Sequence, residues 1–322
     1  MKLATTTYDF ARYCDSYKEA IKLIHEAGFR YIDLSLDTIR DWDNGILIGD
    51  DWKKGVQEIK DAMDEYGMQF AQAHACSRSN YYFPPNTPKE EIKQNRTRSI
   101  EVCGELGIKN MVLHGQLSRE LSTTLERAFE LNRKHLLEEL PLCEEYGVNI
   151  LVENGPKKHY LETFYTDEKI ENPKYLEGWY DAKILKDFIK YMDHPLIHAC
   201  WDTGHANMNG YQYDEIKTLG DDLYGLHVHD NYDENDSHSM PYFGTLSLDD
   251  LMKALIDVNY KGFFTFEACN SLGSENYYVT NRKKIEGENK LFKPSLELKM
   301  IMEKFMYQVG KDALMAYNCF EE

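Results

Sequence analysis

Residues 143–154, CEEYGVNILVEN, read as the end of a helix, a glycine stop and a short apolar strand that finishes on an acid and an amide. Gly147 suits the stop, because the residue past a helix C-terminus often takes a left-handed conformation that costs glycine little. Asn149–Asn154 then has the β-rich apolar content of a strand, with Glu153 near its C-terminal end.

The same unit recurs in both directions. Upstream, Lys2–Thr7 reads as strand one. Helix Tyr17–Ala27 closes at Gly28 before strand two, Tyr31–Ser35. Helix Trp52–Tyr66 closes at Gly67 before strand three, Gln69–His74, and Pro88–Leu106 closes at Gly107 before strand four, Asn110–His114. A long helical region, Arg119–Tyr146, with a break expected at Pro141, leads into strand five. Downstream, Ile197–Asp202, Leu223–His229 and Phe263–Glu267 are strands six to eight; Leu248–Val258 and Ser295–Val309 are helices.

Strands alternating with helices predict a parallel α/β sheet with crossovers, and eight strands close into a (β/α)₈ TIM barrel. An open doubly wound sheet is the alternative, weakened because no glycine-rich phosphate loop follows strand one. All 322 residues fit one barrel domain. Two connections exceed simple loops: Gly155–Asp181 after strand five and Ala268–Lys293 after strand eight. Both are polar and aromatic and would lie on the C-terminal face, where barrel active sites sit. They are candidates for a lid or a subunit contact, which allows a homo-oligomer.

The strand ends carry the chemistry. Strand three ends in His74, four in His114, five in Glu153 and six in Asp202, with His205 three residues on. Strand seven carries His227, His229 and Asp230, and strand eight ends in Glu267. Alternate residues of a strand share a face. Leu151 with Glu153, Cys200 with Asp202, His227 with His229, and Thr265 with Glu267 therefore converge at the barrel mouth if those faces point inward. Any one of these side chains is more often structural than functional. Together they are acids that would repel one another when buried, and a divalent cation supplies the missing charge. Carboxylate oxygens with imidazole nitrogens suit manganese, zinc, cobalt or iron better than calcium, and magnesium if few imidazoles bind. After strand seven, Asp236-Ser237-His238 is a polar loop within reach of the same pole.

The formal charge is −18 and the sequence pI about 5.1, which opposes bulk binding to nucleic acid. The local basic clusters, Lys157-Lys158 and Arg282-Lys283-Lys284, read as solvated surface. Seven cysteines without a CxxC pair suggest reduced thiols. The first ten residues, MKLATTTYDF, lack the apolar run of a secretory signal, and no stretch reaches the ~18 apolar residues of a membrane span. A cytoplasmic protein is expected.

The joint pattern is Glu on strand five, Asp-Thr-Gly-His on strand six, His-x-His-Asp-Asn then Asp-x-His on strand seven, and Glu on strand eight. It resembles the sugar isomerase/epimerase branch of the xylose-isomerase-like barrels, across roughly Lys2 to Val309. It also resembles apurinic endonucleases of the endonuclease IV type, which share that barrel. The epimerase resemblance implies one metal held by Glu153, Asp202, His227 and Glu267, with His205 on the substrate and the two glutamates moving the proton. Those epimerases follow strand seven with Gly-Glu and a sugar-holding Arg. This chain instead has Asp230 and Asn231, and no Arg follows. The endonuclease resemblance implies three zinc ions on nine ligands, matched by His74, His114, Glu153, Asp202, His205, His227, Asp236, His238 and Glu267.

The expected function is metal-dependent isomerisation or epimerisation of a sugar, sugar phosphate or related polyol through an enediolate, with Glu153 and Glu267 catalytic. His74, His114, His205, His229 and His238 are expected to contact substrate, and Asp236 and His238 are candidate further ligands. The alternatives are a metal-dependent phosphodiesterase and a non-catalytic sugar-binding barrel; the complete four-residue core opposes the last.

Overall fold

Ser16 Oγ accepts a hydrogen bond from the Glu19 amide and so starts helix α1, Tyr17–Ala27, with Glu19 in the first turn. Gly28 ends it at φ 113°, and β2, Tyr31–Ser35, follows. The unit repeats. Helix α2, Trp52–Tyr66, ends at Gly67 (φ 62°) before β3, Gln69–His74, and α4, Leu125–Tyr146, ends at Gly147 (φ 65°) before β5, Asn149–Glu153. β1 is Lys2–Thr6, β4 is Asn110–His114, and between β3 and β4 runs α3, Lys89–Leu106. This computed structural model describes residues 1–36, 49–76, 89–115, 124–156, 181–210, 212–233, 236–272 and 294–322.

β6 (Ile197–Asp202), β7 (Leu223–His227) and β8 (Phe263–Phe266) complete one eight-stranded sheet in the order β7-β6-β5-β4-β3-β2-β1-β8. Adjacent strands pair in parallel. Val228 bridges Phe266 in parallel; its amide donates to Thr265 O at 2.8 Å and its carbonyl accepts from Glu267 N at 3.1 Å. These bonds join β7 to β8 and close the ring.

Outward strand residues such as Leu3, Ile32, Ile150, Trp201 and Phe264 share one apolar core with helix residues such as Ile24, Ile59 and Leu255. Truncating a fully buried member such as Ile24 to Ala would cost about 2–5 kcal/mol. Inside the barrel, Ala4, Tyr31 and Ala71 form one small cluster and Val112, Leu151 and Cys200 another. The inward parity read from the sequence is therefore the one adopted, and side chains fill the interior in layers.

Some elements differ from the sequence reading. Pro141 does not break α4, which continues through it. Pro141 and Leu137, whose carbonyl it cannot satisfy, both lie on the exposed side, where water can take the free carbonyl. α5 (Ala182–Met192), α6 (Thr203–Asn207) and α7 (Gln212–Leu219) were not anticipated. α8 is Leu248–Asp257 and α9 runs on to Leu296–Ala316. β7 stops at His227 instead of His229, because Val228 and Asp230 enter isolated bridges. Most of the two long connections, with Lys157-Lys158 and Arg282-Lys283-Lys284, lies outside the described residues. Among the described residues no helix is long and apolar enough to cross a membrane.

Candidate functional site

The C-terminal ends of β3 to β8 deliver their polar residues to one pole. His227 is fully buried there, with Nδ1 2.6 Å from Glu153 Oε1 and 3.5 Å from Glu267 Oε2. Glu153 Oε2 faces His114 Nδ1 at 3.2 Å and His74 Nε2 at 3.5 Å. One ligand atom from each of Glu153, Asp202, His227 and Glu267 lies within 4.8 Å of the others, and the same holds for His74, Glu153 and His227.

A second group adjoins the first. His205 Nε2 and His238 Nε2 lie 3.1 and 3.2 Å from Asp236 Oδ2, and His229 Nε2 lies 3.0 Å from Asp202 Oδ1. Asp202 thus stands between the two groups. His229 is fully buried, stacked on His238 with ring centroids 4.0 Å apart. Gly204 makes room for it: a Cβ there would sit 1.9 Å from His229 Cε1.

The imidazoles are held from behind. Nδ1 of His74, His205 and His238 donates to the carbonyls of Ala75, Asn154 and Glu267 at 2.9, 2.8 and 2.9 Å. Each tether orients its ring and aims Nε2 at the pole, a donor to the acids while the ring is protonated and a lone pair for a cation once that proton has left. Asp202 caps α6 through Oδ1, which accepts the His205 amide at 2.6 Å.

Asp230 and Asn231 prove to be scaffold. Asp230 Oδ1 accepts the amides of Asn231 and Leu246, both at 2.8 Å, and its backbone pairs with Ser239. Asn231 Nδ2 donates to Gly204 O at 2.7 Å. These bonds fold the chain after β7 back on itself, so that Asp236 and His238 face the pole; His238 holds a left-handed φ of 44°.

Charge follows from this crowding. Burial alone would raise Glu153, but His114 and His227 outweigh it and hold the carboxyl well below the usual range. Asp236 is likewise held low by His238 and His205 against burial. Burial would lower His205, yet Asp202 and Asp236 pull it up to about 10. Glu267 is pushed up by burial, with His227 and His238 opposing. Buried Asp202 Oδ2 and His229 Nδ1 have no hydrogen-bond partner, and buried Glu153 Oε2, Asp236 Oδ1 and His229 Nε2 meet only imidazoles or carboxylates of the same cluster without a well-formed hydrogen bond. Unpartnered buried oxygens and nitrogens of this kind are costly, and converging on one space they match a bound cation. Glu153, Asp202, His227 and Glu267 could hold one ion, and His205, His229, Asp236 and His238 another; the mixed oxygen and nitrogen donors suit zinc, manganese, cobalt or magnesium.

His74, His114, Glu153, Asp202, His205, His227, His229, Asp236, His238 and Glu267, the candidate site residues of the sequence, thus stand together at this pole. Sequence reasoning missed Asp33, Gln72 and Asn154. Asp33 accepts from His227 Nε2 at 2.8 Å and from Gln72 Nε2 at 3.0 Å. Its signal was parity, since it shares the inward face of β2 with Tyr31.

A family model described as xylose isomerase-like TIM barrel matches residues 21–290. An uncharacterised protein of Sinorhizobium fredii is 24% identical, over 83% of this chain and 86% of its own. Among solved structures, D-psicose 3-epimerase of Clostridium cellulolyticum H10, determined with D-tagatose, superposes with TM-score 0.69 at 15% identity, covering 98% of this chain and 99% of that one. The IolI protein with a bound zinc atom superposes with TM-score 0.66 at 16% identity, over 98% and 99%.

Proposed function

The chain belongs to the xylose isomerase-like TIM barrels, and from that premise we propose that it is a divalent-metal-dependent isomerase or epimerase of a sugar, sugar phosphate or related polyol. The observation that carries the proposal is the convergence of Glu153, Asp202, His227 and Glu267 within 4.8 Å, with buried Asp202 Oδ2 left without a partner. The zinc in IolI and the sugar in the psicose epimerase support it by analogy of fold.

The four residues would hold the ion. When bound, it supplies Lewis acidity, stabilising the charge that builds on the substrate oxygens as an enediolate forms. The chain's own residues move the proton. Glu153 and Glu267 reach the pole from strands five and eight, 2.6 and 3.5 Å from His227 Nδ1. Glu153 is assigned as the base that takes a proton from the carbon beside a carbonyl. Glu267, raised by burial, is the group that returns one. His74, His114, His205, His229 and His238 are assigned to substrate hydroxyls or to a further ion.

The convergence of His205 and His238 on Asp236 supports a second reading, a polynuclear hydrolase of phosphodiesters. The net charge of −18 weighs against a nucleic-acid substrate. Metal analysis of the purified protein, followed by a screen of ketoses and their phosphates beside a duplex with one abasic site, separates the two. One ion per chain with sugar turnover supports the isomerase; three ions with nicking of the duplex would replace it by the hydrolase.

A further inference from the structure

The tethered histidines of the site are not all mounted the same way. His74, His205 and His238 bond through Nδ1 to backbone carbonyls and present Nε2. His227 is inverted: Nδ1 faces Glu153 and Glu267, and Nε2 points down the barrel to Asp33 Oδ2 at 2.8 Å. In the ring interior it is a side-chain carboxylate, not a backbone carbonyl, that receives that N–H.

Asp33 is fully buried, and its Oδ1 has no hydrogen-bond partner. A carboxylate is a costly choice for the middle of a barrel when packing alone is required. Its surroundings are built to hold it. The β2–β3 register pairs Ile32 with Phe70 but Asp33 with Gln72, so Ala71 is an inserted residue that sets Gln72 opposite Asp33. Gln72 Nε2 donates to Asp33 Oδ2 at 3.0 Å and lies 3.3 Å from Leu226 O, linking β3 to β7 across the interior. Gly225 leaves the room: a Cβ there would lie 3.0 Å from Gln72 Oε1 and 2.6 Å from Leu151 Cδ1.

We infer that Asp33, steadied by Gln72, is the positioning residue of the site: it holds His227 as the Nε2–H tautomer and makes Nδ1 the atom offered to the metal. The inference rests on the metal reading above. A carboxylate behind a ligating imidazole increases its basicity as well as orienting it, and loss of such a partner typically weakens metal binding about 10–100-fold. Asp33→Asn keeps the size and removes the charge. Asp33→Leu removes the acceptor altogether.

The test measures zinc affinity by competition with a chromophoric chelator and records the visible spectrum of the cobalt-loaded protein, for the wild type, both Asp33 variants and Gln72→Ala. A loss of about 10–100-fold in Asp33→Asn and Asp33→Leu, a smaller loss in Gln72→Ala and an altered cobalt spectrum are expected. Affinity within twofold of the wild type with an unchanged spectrum overturns the inference. Should the variants not fold, ¹⁵N-histidine spectra of the zinc-loaded wild type decide: His227 must carry its proton on Nε2 and His74, His205 and His238 on Nδ1. A proton on Nδ1 of His227 overturns it equally. A wild type that takes up no metal removes the metal reading and this inference together, whereas normal uptake with indifferent Asp33 variants removes this inference alone.

Discussion

Asn154 and Asp202 are joined by two reciprocal hydrogen bonds: the Asp202 amide donates to Asn154 Oδ1 at 2.6 Å, and Asn154 Nδ2 donates to the Asp202 carbonyl at 3.0 Å. One side chain thereby satisfies both backbone polar groups of a fully buried residue where β5 and β6 diverge. The Asn154 carbonyl also receives His205 Nδ1, so the amide fixes the two strand ends that carry Glu153 and Asp202.

Asn154→Ala should therefore destabilise the metal-free protein by about 2–4 kcal/mol, since a buried N–H and a buried C=O lose their partners together. Equilibrium urea unfolding of chelator-treated protein measures this. A loss below about 0.5 kcal/mol would mean that water replaces the amide and that its role is small.

Metal removal provides a second check. Asp202 Oδ2 is buried and unpartnered, while Oδ1 caps α6. Asp202→Asn keeps a capping oxygen but offers a poorer ligand, so metal content should fall strongly with the fold retained. Chelation of the wild type should lower its unfolding temperature, because an ion at 1,000 times its Kd stabilises the native state by about 4 kcal/mol. Equal melting of metal-free and metal-loaded protein, or full metal stoichiometry in Asp202→Asn, would contradict the assignment.

How much of this was legible depends on which physical signal each residue carries. Glu153, Asp202, His227 and Glu267 were readable because strand alternation dictates which side chains share a face. Asp33 obeys the same alternation but lies in mid-strand, and a search confined to strand ends passes over it. Asn154 neither titrates nor binds metal strongly, so its role exists only through the backbone of β6, 48 residues on in the chain. Helix α6 spans five residues and depends on the Asp202 cap, too short a segment for periodicity to register. α5 carries its own start signal, with Asp181 accepting the Ile184 amide, but it follows a long polar and aromatic connection with no apolar periodicity to mark where that connection ends. The inserted Ala71 is a tertiary outcome of pairing β3 with β2, invisible to a pattern of period two.

Acidity should tune the metal-free protein in a definite direction. Despite burial, Asp202 and Asp236 pull His205 from its usual range up to about 10. The folded chain then binds a proton that the unfolded chain has lost. The resulting stabilisation is fully present below pH ~6.5 and fades as pH rises toward about 10. Melting temperatures of chelated protein should fall across that interval, and His205→Gln should flatten the slope. Bound metal displaces the proton, so zinc uptake should release protons and tighten as pH rises. Calorimetry in buffers of different ionisation heat tests this, and proton-independent binding would show that His205 is neutral before metal arrives.

The division of labour between Glu153 and Glu267 can be tested through the reacting carbon. Glu153 lies 2.6 Å from His227 Nδ1 and is held low, whereas Glu267 lies 3.5 Å from the same atom and is raised by burial. Two carboxyls around one ion can remove a proton and return another, as epimerisation requires. Turnover in deuterated water, with whichever sugar proves active, should leave solvent deuterium at the reacting carbon. Glu153→Gln and Glu267→Gln should each lower kcat by at least about 100-fold, the contribution expected of a positioned proton-transfer group. The comparison is made at saturating metal, with metal content measured in the same samples, so that lost ligation is not mistaken for lost catalysis. If Glu267→Gln turns over near the wild-type rate while still holding its ion, the returning proton comes from elsewhere, and His238, 3.6 Å from Glu267 Oε2, becomes the group to replace next.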